Sequence, residues 1–124
     1  LSKEYLILSA KLKGTLSSKK LITDKQEELI NRKKSSQPSR IKTGGSTFKN
    51  HKEKKAWELI KFSGCDKFSV GDAKISEKHS NFFINNGNAK TSDLEKLINK
   101  VKTEVNKKTG INLELEINII GDEK

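Results

Sequence analysis

The clearest periodic pattern of apolar residues lies in the last third of the chain. Apolar residues there recur at the spacing of one helical face: Leu94, Leu97, Ile98, Val101 and Val105. Ser92 and Glu95 have the spacing of a capping box, and Gly110 is suited to end a helix in the left-handed conformation. The pattern predicts one amphipathic helix between the box and Gly110.

Apolar and polar residues alternate strictly from Ile111 to Ile119, which predicts a strand with one buried face. The alternation puts Glu114 and Glu116 together on the polar face. Two carboxylates on such a face are usually its solvent side. A catalytic carboxylate is the alternative that the spacing leaves open.

Shorter patterns predict the other elements. Strands are expected at 4–12, at 68–75 as one short strand interrupted by Gly71-Asp72, and at 81–85. Helices are expected from a capping box at Thr23 to about Lys34, and at 54–63 with Trp57 in the core and Gly64 as its end. The segment 35–40 contains the only proline and is predicted to be a linker.

These elements predict an α+β fold, with a small mixed or antiparallel sheet and helices packed on one face. A strand so close to Leu1, with no partner nearby in sequence, is typical of the last strand of a preceding domain. We therefore expect residues 1–20 to be the tail of one domain and 21–40 a helix and linker. Residues 41–121 form a second domain, and 122–124 are a tail.

Composition limits the possible classes of protein. Only 31% of the 124 residues are hydrophobic and 34% are charged, so the core is modest. No run of about 18 apolar residues and no signal peptide is present in the sequence, so we expect a cytoplasmic protein. Cys65, His51 and His79 do not form a spaced ligand set, so no metal site is expected, and Cys65 is interpreted as a half-buried structural residue.

Charge is distributed unevenly along the chain. Residues 1–61 contain 16 Lys or Arg and 6 Asp or Glu, whereas residues 62–124 contain 10 of each. A basic half could bind nucleic acid or an acidic ligand. However, 24 of the 26 cations are lysines, which favours a solvated surface over nucleic-acid readout. A small phosphate-bearing ligand remains open.

Two short stretches are candidates for chemistry. The stretch 43–50 combines two glycines with a hydroxyl, a lysine and an amide, which suits an anionic ligand or a positioned acid. A plain polar turn is the alternative. The loop Ser76-Glu77-Lys78-His79 brings together an acid, a base and an imidazole, and it fits either a ligand site or a solvated turn.

Several blocks of residues, in the same order along the chain, resemble one enzyme family. They are Gly44-Gly45-Ser46-Thr47-Phe48-Lys49-Asn50, Ala56-Trp57-x-Leu59-Ile60, Val70-Gly71-x-Ala73-x-Ile75-Ser76-Glu77-Lys78-His79-x-Asn81-Phe82, Leu113-Glu114-x-Glu116 and Ile119-Ile120-Gly121. The family is UDP-N-acetylenolpyruvoylglucosamine reductase, also called UDP-N-acetylmuramate dehydrogenase, a flavoenzyme of peptidoglycan synthesis. The resemblance runs from about Glu4 to Gly121.

The resemblance implies a two-electron reduction. In the family, NADPH reduces bound FAD, and the flavin passes hydride to the enolpyruvyl group of UDP-N-acetylglucosamine enolpyruvate. A serine protonates the neighbouring carbon, and that serine corresponds to Ser46. The family's C-terminal catalytic glutamate corresponds to Glu116, and the substrate ligands to Asn50 and His79.

The resemblance also implies that an N-terminal FAD domain is a partner. The family's glycine-rich FAD-binding region and its catalytic arginine belong to that domain, and the chain opens with Leu1 rather than Met. We therefore expect residues 1–20 to be the tail of the FAD-binding domain and residues 41–121 to be the C-terminal substrate-binding domain, a portion that is inactive alone. Two residues depart from the family's pattern in their loops: His51 stands where proline is usual, and Asp72 where glycine is usual.

Two alternatives to a working reductase remain at the level of sequence. The chain could be a non-catalytic basic α/β module that binds an acidic partner or nucleic acid. It could also be the remnant of a split or decayed reductase gene.

Overall fold

Three helices and four strands make up the secondary structure of the computed structural model, which describes residues 8–38, 41–52 and 54–121. In chain order they are α1 (Lys19–Ser36), β1 (Lys42–Ser46), α2 (Ala56–Phe62), β2 (Ser69–Val70), β3 (Ala73–Ile75), β4 (Phe82–Asn85) and α3 (Thr91–Thr109). The chain divides into two compact units, residues 1–31 and residues 32–124. The predicted α+β class is confirmed.

The four strands form one antiparallel sheet in the order β1-β4-β3-β2. The prediction of one interrupted strand at 68–75 is wrong, because this segment is a hairpin in which Ser69 pairs with Lys74 and Val70 with Ala73. Gly71 has φ +53°, a conformation that favours glycine and lets the chain reverse there. The segment therefore contributes two strands where the sequence predicted one.

The core lies where α2 and α3 pack with the sheet. It includes Ala56, Leu59, Ile60, Ala73, Ile75, Phe83, Leu97, Ile98, Val101 and Val105. The predicted buried face of α3 is confirmed. The prediction that Trp57 lies in the core is wrong: its side chain is only half-buried, because Ala56, Leu59 and Ile60 form the buried face of α2 and Trp57 lies at the edge of that face.

Glycines end both helices of the second unit, as predicted. Gly64 has φ +72°, its N–H donates to the Lys61 carbonyl at 2.9 Å, and the Cys65 N–H donates to the Ile60 carbonyl at 3.1 Å. This pair of bonds is a Schellman motif, which satisfies carbonyls that the helix leaves free. Gly110, with φ +71°, ends α3 in the same left-handed conformation.

Both predicted capping boxes are wrong. Helix α1 begins earlier than predicted, since the Ser18 hydroxyl accepts a hydrogen bond from the Leu21 N–H at 3.3 Å. Helix α3 begins at the residue before the predicted cap, since the Lys90 N–H donates to the Asp93 carboxylate at 2.9 Å. In both cases a different polar side chain satisfies the free backbone groups of the first turn.

The predicted strand at 4–12 is wrong for its second half, while residues 4–7 lie outside the described residues. Residues 8–12 have no strand structure, and Leu8 and Leu12 are 86% and 92% exposed. A strand needs a hydrogen-bonded neighbour, and no described strand pairs with this segment. Helix α1, which follows, has no buried residue.

For residues 111–119 the predicted alternation of buried and exposed residues is confirmed up to Asn118, but the prediction of a regular strand is wrong. Leu113 is buried, Leu115 and Ile117 are half-buried, and the two glutamates between them are exposed. However, the segment makes only an isolated bridge, between Leu115 and Phe48, within the described residues. The apolar pattern sets which face is buried, whereas a strand also needs a continuous ladder of hydrogen bonds.

We expect the substitution Leu97→Ala to lower the free energy of unfolding by about 2–5 kcal/mol, because Leu97 is fully buried and its truncation leaves a cavity in the core. Urea denaturation followed by circular dichroism measures the change. The control Ile120→Ala, at a side chain 91% exposed, should change it by less than about 0.5 kcal/mol. Equal losses in the two variants would contradict this assignment of the core.

Candidate functional site

A β-bulge in β1 precedes the first candidate residue, Ser46. Thr43 pairs with Ile84 and Ser46 pairs with Phe82, so β1 has one more residue than β4 between the two pairs. Gly45 occupies the bulge with φ +85°, a conformation that side chains disfavour. Sequence analysis predicted a bend here, and the structure shows that the bend lies within a strand.

Two backbone hydrogen bonds bring Glu116 next to Ser46. The Glu116 N–H donates to the Thr47 carbonyl at 2.9 Å, and the Lys49 N–H donates to the Glu114 carbonyl at 2.9 Å. The C-terminal segment therefore runs beside the residues that follow Ser46. An open depression results, lined by Gly44, Ser46, Glu116, Ile117 and Asn118.

The two candidate groups in this depression are free to act on a ligand. Within the described part of the chain, the Ser46 hydroxyl has no hydrogen-bond partner and the Glu116 carboxylate has no cation beside it. Glu114, on the same exposed face, differs because it forms an ion pair with Lys49 at 3.7 Å. The structure thus separates the two glutamates that the alternation could not.

Asn50 does not line this depression. Its side-chain oxygen accepts a hydrogen bond from the Ala56 N–H at 3.0 Å, at the first residue of α2. The amide therefore satisfies one of the free donors at the start of this helix. Its NH2 group remains as the part of Asn50 that could donate to a substrate.

His79 lies in a second depression, with a volume of about 530 Å³. Its ring packs edge-on against Trp57, with centroids 6.3 Å apart, and against Phe82, with centroids 4.8 Å apart. Neither Ser46 nor Glu116 lines this second depression. The structure therefore places the four candidate residues at different points: two share one depression, Asn50 caps α2, and His79 lies apart.

Hydrogen bonding sets the tautomer of His79. The backbone N–H of Asn81 donates to Nδ1 of the ring at 3.3 Å, so Nδ1 acts as an acceptor and the proton of the neutral ring is on Nε2. Burial lowers the pKa of His79 from its ordinary 6.5, because desolvation disfavours the charged ring. A neutral ring with Nε2–H is a hydrogen-bond donor at neutral pH.

Cationic side chains outnumber anionic ones around His79. The second depression is lined by five cationic residues and two anionic ones: Arg32, Lys55, Lys61, Lys67 and Lys78, with Asp66 and Glu77. None of the four lysines takes part in an ion pair with another described residue. The excess of positive charge favours an anionic ligand.

Sequence reasoning missed one polar residue near the site, Asn81. Its side chain is 4% exposed and forms hydrogen bonds to both backbone groups of Phe48. In the sequence it stands at the start of an apolar run and within a block that resembles the family, but neither pattern indicated what its side chain contacts. Only the fold shows that it contacts the segment that follows Ser46.

The two departures from the family pattern both make backbone contacts. The His51 N–H donates to the Lys54 carbonyl at 3.0 Å, a bond that a proline could not make. The Asp72 carboxylate accepts from the Asn88 N–H at 2.9 Å. His51 therefore stabilises the conformation of its own loop, whereas Asp72 stabilises the loop that follows β4.

Cys65 is a core residue, as a structural role requires, but the expectation that it is half-buried is wrong. The residue is fully buried, and burial raises the pKa of its thiol to about 11, so the reactive thiolate is disfavoured at neutral pH.

No group of three or more potential metal ligands occurs in the described ranges. No helix there is long and apolar enough to cross a membrane.

Comparison with known proteins gives one consistent result. Residues 37–120 match the family model described as UDP-N-acetylenolpyruvoylglucosamine reductase, C-terminal domain. The chain is 48% identical over 117 residues to the reductase of that name from Wolbachia pipientis wMel, covering 94% of this chain and 40% of the relative. It is 49% identical over 123 residues to the one from Pelagibacter ubique (strain HTCC1062), covering 97% and 41%.

A solved structure agrees with these sequence matches. The crystal structure of UDP-N-acetylenolpyruvylglucosamine reductase from Thermus caldophilus superposes with a TM-score of 0.70 at 36% sequence identity, covering 82% of this chain and 35% of that one. The chain therefore spans about 40% of the length of the curated relatives that it matches.

We expect the stability of the protein to depend on pH through His79. Because folding lowers its pKa below 6.5, the unfolded chain binds the proton more readily. The stabilisation from a neutral His79 is thus complete above pH 6.5 and is lost as the pH falls towards the lowered pKa. Urea denaturation between pH 8 and pH 5 measures this loss.

The variant His79→Gln should lose this part of the pH dependence. The control His51→Gln removes the only other imidazole of the chain and should retain it. If both variants followed the wild-type pH profile, the assignment to His79 would be wrong.

Proposed function

The chain belongs to the UDP-N-acetylenolpyruvoylglucosamine reductase family through its C-terminal domain, and on that basis we propose that it supplies the proton donor and part of the substrate site for reduction of UDP-N-acetylglucosamine enolpyruvate to UDP-N-acetylmuramate. The observation that carries the proposal is the shared depression of Ser46 and Glu116, two residues 70 positions apart in the sequence. In this proposal the reaction takes place in the cytoplasm and contributes to peptidoglycan synthesis.

The reaction is a two-electron reduction of the carbon–carbon double bond of the enolpyruvyl group. One carbon receives a hydride and the neighbouring carbon a proton. FAD reduced by NADPH supplies the hydride when it is bound. The residues of this chain have to hold the enolpyruvyl group and deliver the proton.

Ser46 is the proposed proton donor. A serine hydroxyl is a poor acid in water, so it needs a fixed position beside the developing carbanion. The end of β1 supports such a position, because the bulge at Gly45 and the buried residue Thr47 stand on either side of Ser46. Its hydroxyl has no competing partner among the described residues.

Glu116 is the proposed second catalytic residue. Its backbone is held by the hydrogen bond to Thr47, and its carboxylate is free of the ion pair that engages Glu114. A carboxyl group here can stabilise the charge that develops during proton transfer, or it can return a proton to Ser46 after the reaction. The backbone pairing of the two segments keeps this group beside Ser46.

The proposed substrate ligands lie beyond the reacting group. The depression around His79 carries the cationic side chains that a diphosphate needs, and the neutral ring can donate from Nε2. The Asn50 amide can donate from its NH2 group while its oxygen stays bonded to Ala56. The substrate's diphosphate is therefore assigned to the region of His79.

FAD and NADPH are assigned to a partner, the N-terminal FAD domain. The chain covers 40% of the wMel relative, and the family model that it matches is that of the C-terminal domain alone. The residues of this chain that fit the redox reaction are the unpartnered hydroxyl and carboxylate in an open depression. Flavin binding thus falls to the remaining part of a complete reductase.

A chimera tests the proposed function. This chain replaces the matching 40% of the wMel reductase, and flavin absorbance is followed by stopped flow. We expect NADPH to bleach the flavin and UDP-N-acetylglucosamine enolpyruvate to restore its colour. A chimera that is bleached but not restored would contradict the proposal. If it retains no flavin, the isolated chain is titrated with the substrate by NMR, and unchanged amide signals around Ser46 and Glu116 would contradict it equally.

In this chimera, Ser46→Ala should slow flavin reoxidation by the substrate by about 10²- to 10⁴-fold, the usual contribution of a general acid. Flavin reduction by NADPH should change little, because the serine acts only in the second half-reaction. Stopped-flow traces of each half-reaction give the two rates. The control Ser69→Ala lies on an exposed position of β2 and should leave both rates unchanged. Equal loss of both half-reactions in Ser46→Ala would argue against the role.

The two glutamates provide a matched pair of variants. Glu116→Gln should slow reoxidation by at least about tenfold, because it removes the free carboxylate beside Ser46. Glu114→Gln, two residues away on the same face, should not, because that carboxylate is bound to Lys49. Similar rates in the two variants would show that the depression does not use Glu116. The same stopped-flow assay measures both.

A further inference from the structure

The side chain of Asn81 forms the two hydrogen bonds to the backbone of Phe48 that a neighbouring strand would otherwise form. Its Oδ1 accepts a hydrogen bond from the Phe48 N–H at 3.0 Å, and its Nδ2 donates to the Phe48 carbonyl at 2.8 Å. One acceptor and one donor on the same residue are what a neighbouring strand would offer. The pair of bonds also fixes which end of the amide is oxygen.

The backbone of Asn81 holds the adjacent residue as well. Its carbonyl accepts a hydrogen bond from the Thr47 N–H at 2.8 Å. Thr47 and Phe48 are 2% and 0% exposed, so water cannot replace these bonds. Asn81 therefore makes three hydrogen bonds to the two residues that directly follow Ser46.

Asn81 also contacts a residue that lines the second depression. Its N–H is the donor to Nδ1 of His79, whose ring packs on Phe82. Asn81 itself lines neither depression. It is hydrogen-bonded both to the segment that follows Ser46 and to the ring of His79.

We infer that Asn81 is a positioning residue of the reductase site: it sets the position of Ser46 through Thr47 and Phe48. The inference rests on the proposed function for the identity of Ser46 as the proton donor. A proton donor must lie within hydrogen-bond reach of the carbon that it protonates, so a small displacement of this strand end lowers the rate without removing any reacting group.

Other residue types cannot make the same set of contacts. Aspartate keeps the acceptor for the Phe48 N–H but lacks the donor for the carbonyl, and it brings a buried charge close to that oxygen. Alanine removes both side-chain bonds. Asn81→Asp is therefore the isosteric test of the donor, and Asn81→Ala tests the pair.

Asn85, the last residue of β4, offers a control at the other end of the strand that Asn81 precedes. Its Oδ1 accepts from the Gly87 and Ala89 N–H groups, and its Nδ2 donates to the Ala89 carbonyl at 3.0 Å. The Asn85 side chain therefore also binds the backbone of a loop, but that loop leads to α3 and not to Ser46. Asn85→Asp and Asn85→Ala change the corresponding side-chain bonds at a half-buried position.

The first measurement is amide hydrogen exchange on the isolated chain, which does not depend on any reaction. In Asn81→Ala, which removes the acceptor of the Phe48 N–H, we expect the amide of Phe48 to exchange at least about tenfold faster than in the wild type, after correction for global stability. The amide of Thr47 should change less, because it donates to the backbone carbonyl of Asn81, which the variant keeps. In the Asn85 variants these two amides should be unchanged. Equal exchange in the Asn81 and Asn85 variants would overturn the inference.

The second measurement separates positioning from stability. In the chimera with the wMel reductase, Asn81→Asp should slow flavin reoxidation by substrate at least about tenfold and leave flavin reduction by NADPH unchanged, because only the second half-reaction uses Ser46. A purely structural role would lower both rates in proportion to the folded fraction. The Asn85 variants should leave the ratio of the two rates unchanged.

Two outcomes remain decisive if a variant fails to fold or the function is different. In the wild-type chain, Thr47 and Phe48 should be as protected from exchange as the core strand residues Ile75 and Phe83, and low protection would overturn the inference. If the wild-type chimera does not reduce the substrate while the exchange pattern holds, the proposed function fails. Asn81 would then still be shown to hold this strand end.

Discussion

The burial of Phe48 is the constraint on which the arrangement of the candidate site depends. Its side chain is fully buried and packs edge-on against Phe83, with ring centroids 5.8 Å apart. Its backbone is bonded by Asn81 on one side and bridged to Leu115 on the other. Because this one residue is fixed in the core, Ser46 before it and the segment of Glu116 beside it are both held in place at the surface.

The two depressions at the surface of this core differ in their charged groups. The depression of Ser46 has few charged groups, and the free carboxylate there is that of Glu116. The depression of His79 has a cationic lining with an aromatic wall. In the proposed function, the diphosphate and the enolpyruvyl double bond of the substrate occupy these two different environments. Residues from separate segments of the chain form them.

Apolar periodicity predicted part of this fold. The face of α3 follows from the spacing of its apolar residues, and Gly64 and Gly110 end their helices as expected. Helix starts were less predictable, because several polar side chains compete to cap the first turn. The alternation of apolar and polar residues correctly predicted that Leu113 is buried, but it could not show whether the segment pairs with another strand. That depends on residues far away in the sequence.

The candidate site was predictable only in part for the same reason. The residue types of 43–50 and the alternation at 111–119 marked the two stretches as candidates, but only resemblance to a family selected Ser46 and Glu116 within them. The structure added that Glu114 forms an ion pair with Lys49 and Glu116 forms none among the described residues. It also added Asn81, whose role depends on contacts 33 residues apart along the chain. No local pattern in the sequence contains that information.

The segment that follows the bulge in β1 is sensitive to its length. The bulge keeps Thr43 and Ser46 on the same face of the strand although they are three residues apart. Side chains alternate between the two faces beyond the bulge, so adding or removing one residue between Ser46 and Phe48 would turn Phe48 out of the core. Gly44 is less constrained, because an added Cβ would meet its nearest neighbour at an ordinary contact distance of 3.6 Å, whereas Gly45 has φ +85° and favours glycine. A substitution at Gly44 is thus tolerated more readily than a change in the number of residues directly before Phe48.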